Sequence, residues 1–156
     1  GRYGQAYKYV HNSMPEILST IGEKIFISDA LVDLVDDMSY LLSGVDVGLA
    51  FYKPECSSRY TGRNLEHLGL ASGKISTYLR YGIPVIMNQV GMYADLAKKY
   101  RFGLSISSFS ELPDALFQIN QQDFSAAARE FFSSHLDFAL YEELVWNNLE
   151  SAEIVP

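Results

Sequence analysis

The stretch Ser72–Thr77 holds the residues best suited to chemistry, in the order Ser-Gly-Lys-Ile-Ser-Thr. Serine is a favourable N-cap, so Ser72 predicts the start of a helix whose first backbone N–H groups lack partners within the helix. These groups and the positive end of the helix dipole attract anions. Gly73 lets a ligand approach the backbone, and Lys74 adds a full positive charge. The pattern predicts a cradle for a diphosphate, built from Ser72, Gly73, Lys74, Ile75, Ser76 and Thr77.

Two interpretations of this stretch stay open at the level of the sequence. In the first, the hydroxyls of Ser76 and Thr77 lie one turn into the helix, at a depth suited to a ribose or phosphate oxygen. In the second interpretation, the stretch is an ordinary capped helix with an exposed lysine. A P-loop is excluded, because Leu68 stands where that motif requires Gly and Ile75 where it requires Ser or Thr.

Other residue types that do chemistry form no comparable pattern. The three histidines (His11, His67 and His135) are far apart in the sequence, no Asp-x-Asp occurs, and Cys56 is the single cysteine, without an identifiable base partner. We therefore expect neither a metal ion nor a cofactor. Tyr52 is expected to be a core or rim aromatic side chain rather than a platform for stacking.

The charge is unevenly distributed along the 156 residues. The chain has 12 Lys and Arg against 19 Asp and Glu, but residues 53–101 hold eight basic and three acidic side chains, while residues 111–156 hold one basic and nine acidic ones. A locally positive middle suits a small anionic ligand, whereas nucleic acid would require a broader basic face. The chain has no apolar run of ~18 residues, so we expect no membrane span. A cytoplasmic location is expected, with attachment to a membrane surface left open.

The elements that must position Ser72–Thr77 follow from apolar patterning. Four short apolar runs predict strands at 24–28, 46–52, 84–87 and 104–107. Helical patterns occupy 31–42, 72–82, 92–100, 110–120, 123–135 and 138–150. Strands that alternate with helices predict an α/β fold, a Rossmann-like parallel sheet flanked by helices. In such sheets ligands bind beyond the carboxyl ends of the strands, which here means after Ser28, after Tyr52 and around Ser72–Thr77.

A family resemblance extends over roughly residues 24–120. Ser72–Ile86, followed by a polar-Gly turn, a helix and the strand start Phe102-Gly103-Leu104, resembles the carboxy-terminal domain of GT-B glycosyltransferases of the retaining, family-4-like group. Members of that group often have Lys, then Glu-Tyr-Leu, then Gly-x-Pro-Val-Ile. Asp46-Val47-Gly48-Leu49, with the following aromatic residues and Pro54, is similar to the preceding strand and loop of that family.

The resemblance implies transfer of a sugar, with retention of configuration, from a nucleoside diphosphate sugar such as a UDP-sugar to a glycan or other acceptor. It also implies that residues 1–156 are one nucleotide-sugar-binding domain of a longer chain, in which 1–20 follow missing strands and 121–156 are carboxy-terminal helices. The partner would be a missing amino-terminal acceptor domain, without which the isolated chain is expected to be inactive. No residue is assigned a catalytic role.

The sequence departs from the family at the carboxylates that contact the donor. Thr77 stands where the family usually has the Glu that binds the donor ribose, and Gly69 replaces the other Glu of that spaced pair. The Lys-x-Ser-x-Tyr-Leu variant is similar to a subset of transferases that build bacterial surface or adhesin glycans. Hydroxyls of Ser76 or Thr77 would then replace the carboxylate at the ribose.

Four residues outside the cradle complete the set of candidates. Ser28 and Asp29, at the carboxyl end of the first predicted strand, are candidates for contact with the nucleotide base. Arg59 and Arg63 lie in the predicted loop 53–71 and are candidates for contact with a phosphate or the acceptor.

Two alternative functions are retained. One is a nucleotide-sugar epimerase of GT-B fold, which would also keep a carboxylate or histidine near the donor. The other is a non-catalytic, doubly wound signalling or interaction module. Binding of a UDP-sugar separates either enzyme from the module, and the reaction product separates the two enzymes.

Overall fold

The computed structural model describes residues 37–52, 69–89 and 91–151. The predicted strand 24–28, most of the predicted helix 31–42 and residues 53–68 lie outside the described residues, as do the candidates Ser28, Asp29, Arg59 and Arg63. The chain forms two compact units, residues 1–41 and 42–156. Only residues 37–41 of the first unit are described, so the fold below is that of the second.

Three strands and six α-helices are present in the described residues. Their bounds are α1 Ser39–Leu42, β1 Gly48–Ala50, α2 Gly73–Arg80, β2 Val85–Asn88, α3 Tyr93–Tyr100, β3 Gly103–Ile106, α4 Leu112–Gln121, α5 Phe124–His135 and α6 Glu142–Ser151. Short 3₁₀ helices at Phe109–Glu111 and Phe138–Leu140 precede α4 and α6. Each of the last three predicted strands and each helical pattern from 72–82 to 123–135 is found, with ends that shift by a few residues.

The described strands form one parallel sheet in the order β1-β2-β3. Gly48 of β1 pairs with Val85 of β2, and Val85 pairs in turn with Gly103 of β3. The α/β class and the parallel sheet flanked by helices are thus confirmed. Because parallel strands share one direction, the carboxyl ends of all three lie at the same edge of the sheet.

Helix α2 begins and ends where the sequence predicts. The Ser72 side chain accepts a hydrogen bond from the Ile75 backbone N–H, which is the expected N-cap contact. At the other end, Gly82 has a φ of +71° and Ile83 donates its N–H to the carbonyl of Tyr78. This is the Schellman arrangement that glycine favours after a helix, and it turns the chain directly into β2.

A glycine that follows a helical pattern often ends the helix, so the sequence predicts that Gly103 ends α3, and this prediction is wrong. The helix ends at Tyr100, and Arg101 takes the left-handed conformation after it, with a φ of +59°. Gly103 is instead the first residue of β3, where a Cβ would overlap the carbonyl oxygen of Val85 on β2. The glycine therefore serves the close approach of two strands and not the end of a helix.

Alternate residues of β2 bury their side chains on opposite faces of the sheet. Val85 and Met87 pack in the larger core, together with α2, α3 and α5, while Ile86 packs in a smaller core with α4. Ile75 and Leu79 place the inner face of α2 in the larger core, and both are fully buried. Helix α2 is thus fixed over the sheet by its inner face, while Gly73 and Lys74 at its amino-terminal end are exposed.

The carboxy-terminal stretch 138–150, predicted as one helix, is two elements. The 3₁₀ turn Phe138–Leu140 comes first, capped by the Asp137 side chain, and α6 follows. No residue of α6 is buried: Leu144 and Leu149 are 62% and 58% exposed. None of the described helices is both long enough and apolar enough to cross a bilayer.

Candidate functional site

The start of α2 presents an exposed backbone to solvent. Gly73 and Lys74 are the first two helical residues, and both are exposed. A Cβ added at Gly73 would meet no atom within 4 Å, so a ligand can approach the backbone closely there. The N–H groups of the first residues of a helix have no intrahelical acceptor, and α2 has no acidic residue in its first turn. This end of the helix is therefore suited to an anion.

The Lys74 ammonium lies beside an aromatic ring that comes from another element. Its Nζ is 5.2 Å from the centroid of the Tyr52 ring, within the range of a cation–π interaction. Tyr52 is the second residue after β1, and its side chain packs against the larger core. The positive charge predicted for the cradle is thus held at the carboxyl edge of the sheet.

Tyr52 also contacts the N-cap of α2. Its hydroxyl lies 2.6 Å from the hydroxyl of Ser72, and the Ser72 residue is 3% exposed. Since the Ser72 oxygen also receives the Ile75 N–H, the side chain of Ser72 is engaged on both sides within the protein. Ser72 therefore stabilises the start of the helix on its buried side, while Gly73 and Lys74 are exposed to solvent.

The backbone of Tyr52 is held by the side chain of Asn88 at the end of β2. Tyr52 donates its N–H to Oδ1 of Asn88 at 2.9 Å, and Nδ2 of Asn88 donates to the carbonyl of Tyr52 at 2.7 Å. The side chain of Asn88 thus continues the hydrogen bonding between β1 and β2 beyond the last paired residues of the two strands. Together the three hydrogen bonds fix the main chain and the hydroxyl of Tyr52.

The hydroxyl of Thr77 has a partner inside the protein, and the side chain of Ser76 lies near a buried phenol. Thr77 donates to the carbonyl of Gly73 one turn earlier, at 2.8 Å. The phenol near Ser76 is that of Tyr93, whose hydroxyl donates to the carbonyl of Leu70 at 2.8 Å. Tyr93 is fully buried, and this burial raises its pKa above the ordinary value of 10.0. A contact of either hydroxyl with a ribose stays a prediction.

A cavity of about 500 Å³ opens at the same carboxyl edge of the sheet. Residues from the ends of all three strands contribute to its lining: Phe51, Tyr52, Asn88, Ile106, Ser107, Ser108 and Phe109. The lining is mostly apolar with a few polar groups, which is typical of small-molecule sites. Because Tyr52 also contacts Lys74 and Ser72, the cavity and the start of α2 share one wall.

Sequence reasoning missed part of this arrangement. Its interpretation of Tyr52 as a core or rim aromatic residue is confirmed, but it did not predict the contacts of Tyr52 with Lys74 and Ser72. It also did not consider Asn88 or the turn Ser107–Phe109. The rule that ligands bind at the carboxyl ends of parallel strands could have pointed to all of them, since each follows or ends a predicted strand. It was applied only to the first two strands and to α2. The contacts themselves depend on strand register, which no sequence pattern in this chain specifies.

Among the described residues, no cluster of three or more His, Cys, Asp or Glu side chains could hold a metal ion. His135 stacks on Phe131 and lies 3.3 Å from the Tyr100 hydroxyl, so it belongs to the packing between α3 and α5. The chemistry offered by the described site is that of backbone N–H groups, one lysine and aromatic walls.

Comparison with known proteins gives one match. The family model described as "Glucosyltransferase 3-like, C-terminal domain" matches residues 35–134, which include β1, Tyr52, all of α2 and the whole described sheet. Neither the curated proteins nor the solved structures contain a match to this chain.

Proposed function

We propose a donor-binding function for this chain, which belongs to the glucosyltransferase 3-like C-terminal domain family. The proposal is that it is the nucleotide-sugar-binding domain of a retaining glycosyltransferase of GT-B type that works in the cytoplasm. The donor would be a nucleoside diphosphate sugar, with a UDP-sugar as the leading candidate. The single observation that supports this best is the start of α2, where Gly73 and Lys74 are exposed beside a cavity at the carboxyl edge of the sheet.

The chemistry of sugar transfer explains why such a site would serve. When the bond between the sugar and the diphosphate breaks, negative charge develops on the departing phosphate oxygens. Fixed N–H dipoles and a cation stabilise that charge more in the transition state than in the ground state, and they need no reorganisation at the moment of reaction. The amides of Gly73 and Lys74, with the Lys74 ammonium, supply both kinds of group without a metal ion.

The adjacent cavity gives the donor room beyond its diphosphate. Its volume of about 500 Å³ is within the usual range for small-molecule sites. Ring systems pack well on aromatic walls, and Phe51 and Phe109 lie with their ring centroids 4.8 Å apart at its rim. Ser28, Asp29, Arg59 and Arg63 stay candidates for the base, phosphate and acceptor contacts.

The first prediction tests the role of Lys74 by calorimetric titration. UDP, GDP and ADP are titrated into the chain and into Lys74→Ala, after circular dichroism has shown that both are folded. We expect UDP to bind, and we expect Lys74→Ala to lose about 1–3 kcal/mol of binding free energy, a five- to 150-fold weaker affinity, because a charge-assisted contact is removed.

The matched control is Lys98→Ala. Lys98 is an exposed lysine on α3, away from the start of α2, and its removal changes the net charge by the same amount. If both substitutions weaken UDP binding equally, the effect comes from the net charge of the protein and the cradle is not supported. If no nucleotide binds to the folded chain, the donor-binding function is contradicted and the non-catalytic module becomes the better account.

A further inference from the structure

Tyr52 contacts both the start of α2 and the cavity in the described part of the candidate site. Its ring lies beside the Lys74 ammonium, its hydroxyl contacts the N-cap Ser72, and it lines the cavity. We propose that Tyr52 is a positioning residue that holds the Lys74 ammonium at the start of α2, ready to meet the diphosphate. This inference rests on the proposed donor-binding function.

The Lys74 ammonium needs a partner that holds it in one position. A lysine side chain carries its ammonium group on four flexible methylene groups, so it loses conformational entropy when a ligand fixes it in place. No carboxylate in the first turn of α2 competes for the ammonium. Among the described residues the aromatic face of Tyr52 is the partner that Lys74 has, at 5.2 Å. An aromatic partner orients the cation without neutralising it, so the full charge stays available to an anion.

Tyr52 can orient Lys74 only because it is itself fixed relative to α2. Asn88 holds its backbone through two hydrogen bonds of 2.9 and 2.7 Å. The hydroxyl, 2.6 Å from the Ser72 oxygen, ties the ring to the residue that caps the helix. The ring and the cap are therefore fixed to one another, so the aromatic face beside the ammonium is held at the start of α2 before any ligand binds.

The test is a double-mutant cycle on UDP affinity. The four proteins are the unaltered chain, Tyr52→Leu, Lys74→Ala and the double variant, each checked for folding by circular dichroism. We expect Tyr52→Leu to weaken UDP binding by about two- to fivefold, the range for an exposed cation–π contact, when Lys74 is present. In the Lys74→Ala background we expect the same substitution to have no further effect. A role in packing alone would weaken both backgrounds alike and would overturn the proposal.

Tyr52→Phe serves as the matched conservative variant. It keeps the ring beneath Lys74 and removes only the hydroxyl contact with Ser72, so it should restore most of the affinity lost in Tyr52→Leu. If Tyr52→Phe binds UDP as weakly as Tyr52→Leu does, the ring does not position the cation and the proposal is overturned. If the unaltered chain binds no UDP, the donor-binding function itself fails, which is a different result from loss of coupling.

A second measurement keeps the proposal testable should Tyr52→Leu not fold. In the unaltered protein, the methylene protons next to the Lys74 ammonium lie over an aromatic ring and should resonate upfield of those of Lys98. Their signals are assigned by their absence in Lys74→Ala. Resonances at the ordinary lysine position would show that the ammonium does not rest on the ring and would contradict the proposal.

Discussion

Tyr93 shows how a single buried polar side chain ties the site to the core. It is the first residue of α3, it is fully buried, and its phenol oxygen contacts the carbonyl of Leu70 and lies near the side chain of Ser76. A buried hydroxyl without such partners would cost stability, so these contacts compensate for its removal from water. They also hold the chain before α2 and the first turns of α2 and α3 together.

The raised pKa of Tyr93 predicts a loss of stability at alkaline pH. The folded state binds the phenol proton more tightly than the unfolded state, so the stability contributed is fully present below pH 10.0 and is lost as the pH rises from there through the raised pKa. We expect the free energy of unfolding to fall more steeply above about pH 10 in the unaltered chain than in Tyr93→Phe, by up to about 1.4 kcal/mol per pH unit.

Urea unfolding at several pH values between about 8 and 11 measures this difference. Tyr40→Phe is the control, because it removes the same hydroxyl group from a side chain that is 90% exposed. A curve for Tyr93→Phe that is parallel to that of the unaltered chain would show that Tyr93 ionises as easily in the folded state as in the unfolded one.

At the scale of elements, the site depends on how closely β2 and β3 approach. Gly103 pairs with Val85, and a side chain at Gly103 would overlap the Val85 carbonyl oxygen. Because backbone on both sides forms the contact, neither partner can move aside without breaking the sheet. The strand ends carry Asn88 and Ser107–Phe109, so an error in this pairing would displace the wall of the cavity as well.

Two glycines, substituted one at a time, should affect different properties: one substitution should lower stability and the other should weaken ligand binding. We expect Gly103→Ala to lower the free energy of unfolding by about 1–3 kcal/mol, the usual cost of overpacking. Gly73→Ala has open space around the new methyl group and should cost no stability, because alanine is the better helix former. The same methyl group would obstruct a ligand at the start of α2, so we expect Gly73→Ala to weaken UDP binding.

Thermal unfolding and UDP titration of both variants provide the measurement. Gly73→Ala that binds UDP as tightly as the unaltered chain would mean that no ligand approaches the backbone at that residue. Gly103→Ala with unchanged stability would mean that β3 pairs with β2 less closely than the structure has it.

At the scale of the whole molecule, basic side chains are concentrated in the middle of the chain and acidic ones in its carboxy-terminal part. The net charge of −7 would repel an anionic donor, but residues 111–156 carry nine of the nineteen acidic side chains and residues 53–101 carry eight of the twelve basic ones. Local charge near the site decides attraction at short range, because salt screens more distant charges. An acidic protein can therefore bind a nucleotide sugar.

The matched family is a carboxy-terminal domain, so we expect the acceptor-binding half of the enzyme to lie outside these 156 residues. The chain should bind UDP and UDP-glucose but transfer no glucose to an acceptor, because the groups that hold the acceptor would be absent. Product analysis after incubation with UDP-glucose and candidate acceptors measures this. Transfer by the chain alone would contradict the expectation, and an epimerised sugar nucleotide would support the epimerase.

The sequence alone determined the α/β class, the order of the described elements and the start and end of α2. These features depend on local causes: β-prone apolar runs, a serine at the N-cap, and a glycine where the chain takes positive φ at Gly82. The N-cap at Ser72 was likewise recognisable from the residue type alone, whereas the cradle predicted at Ser72–Thr77 stays a prediction. Gly103 was misjudged because a glycine needed for close strand pairing looks the same in sequence as one that ends a helix.

Tertiary structure alone decided which side chains meet. Tyr52, Ser72 and Asn88 are up to 36 residues apart in the chain. The register of β1 against β2 brings Asn88 to Tyr52, and the packing of α2 on the sheet brings Ser72 there. The same packing placed the side chain of Ser76 near Tyr93. Contacts of this kind depend on how strands and helices pack across the sheet, and local sequence patterns carry no information on that register.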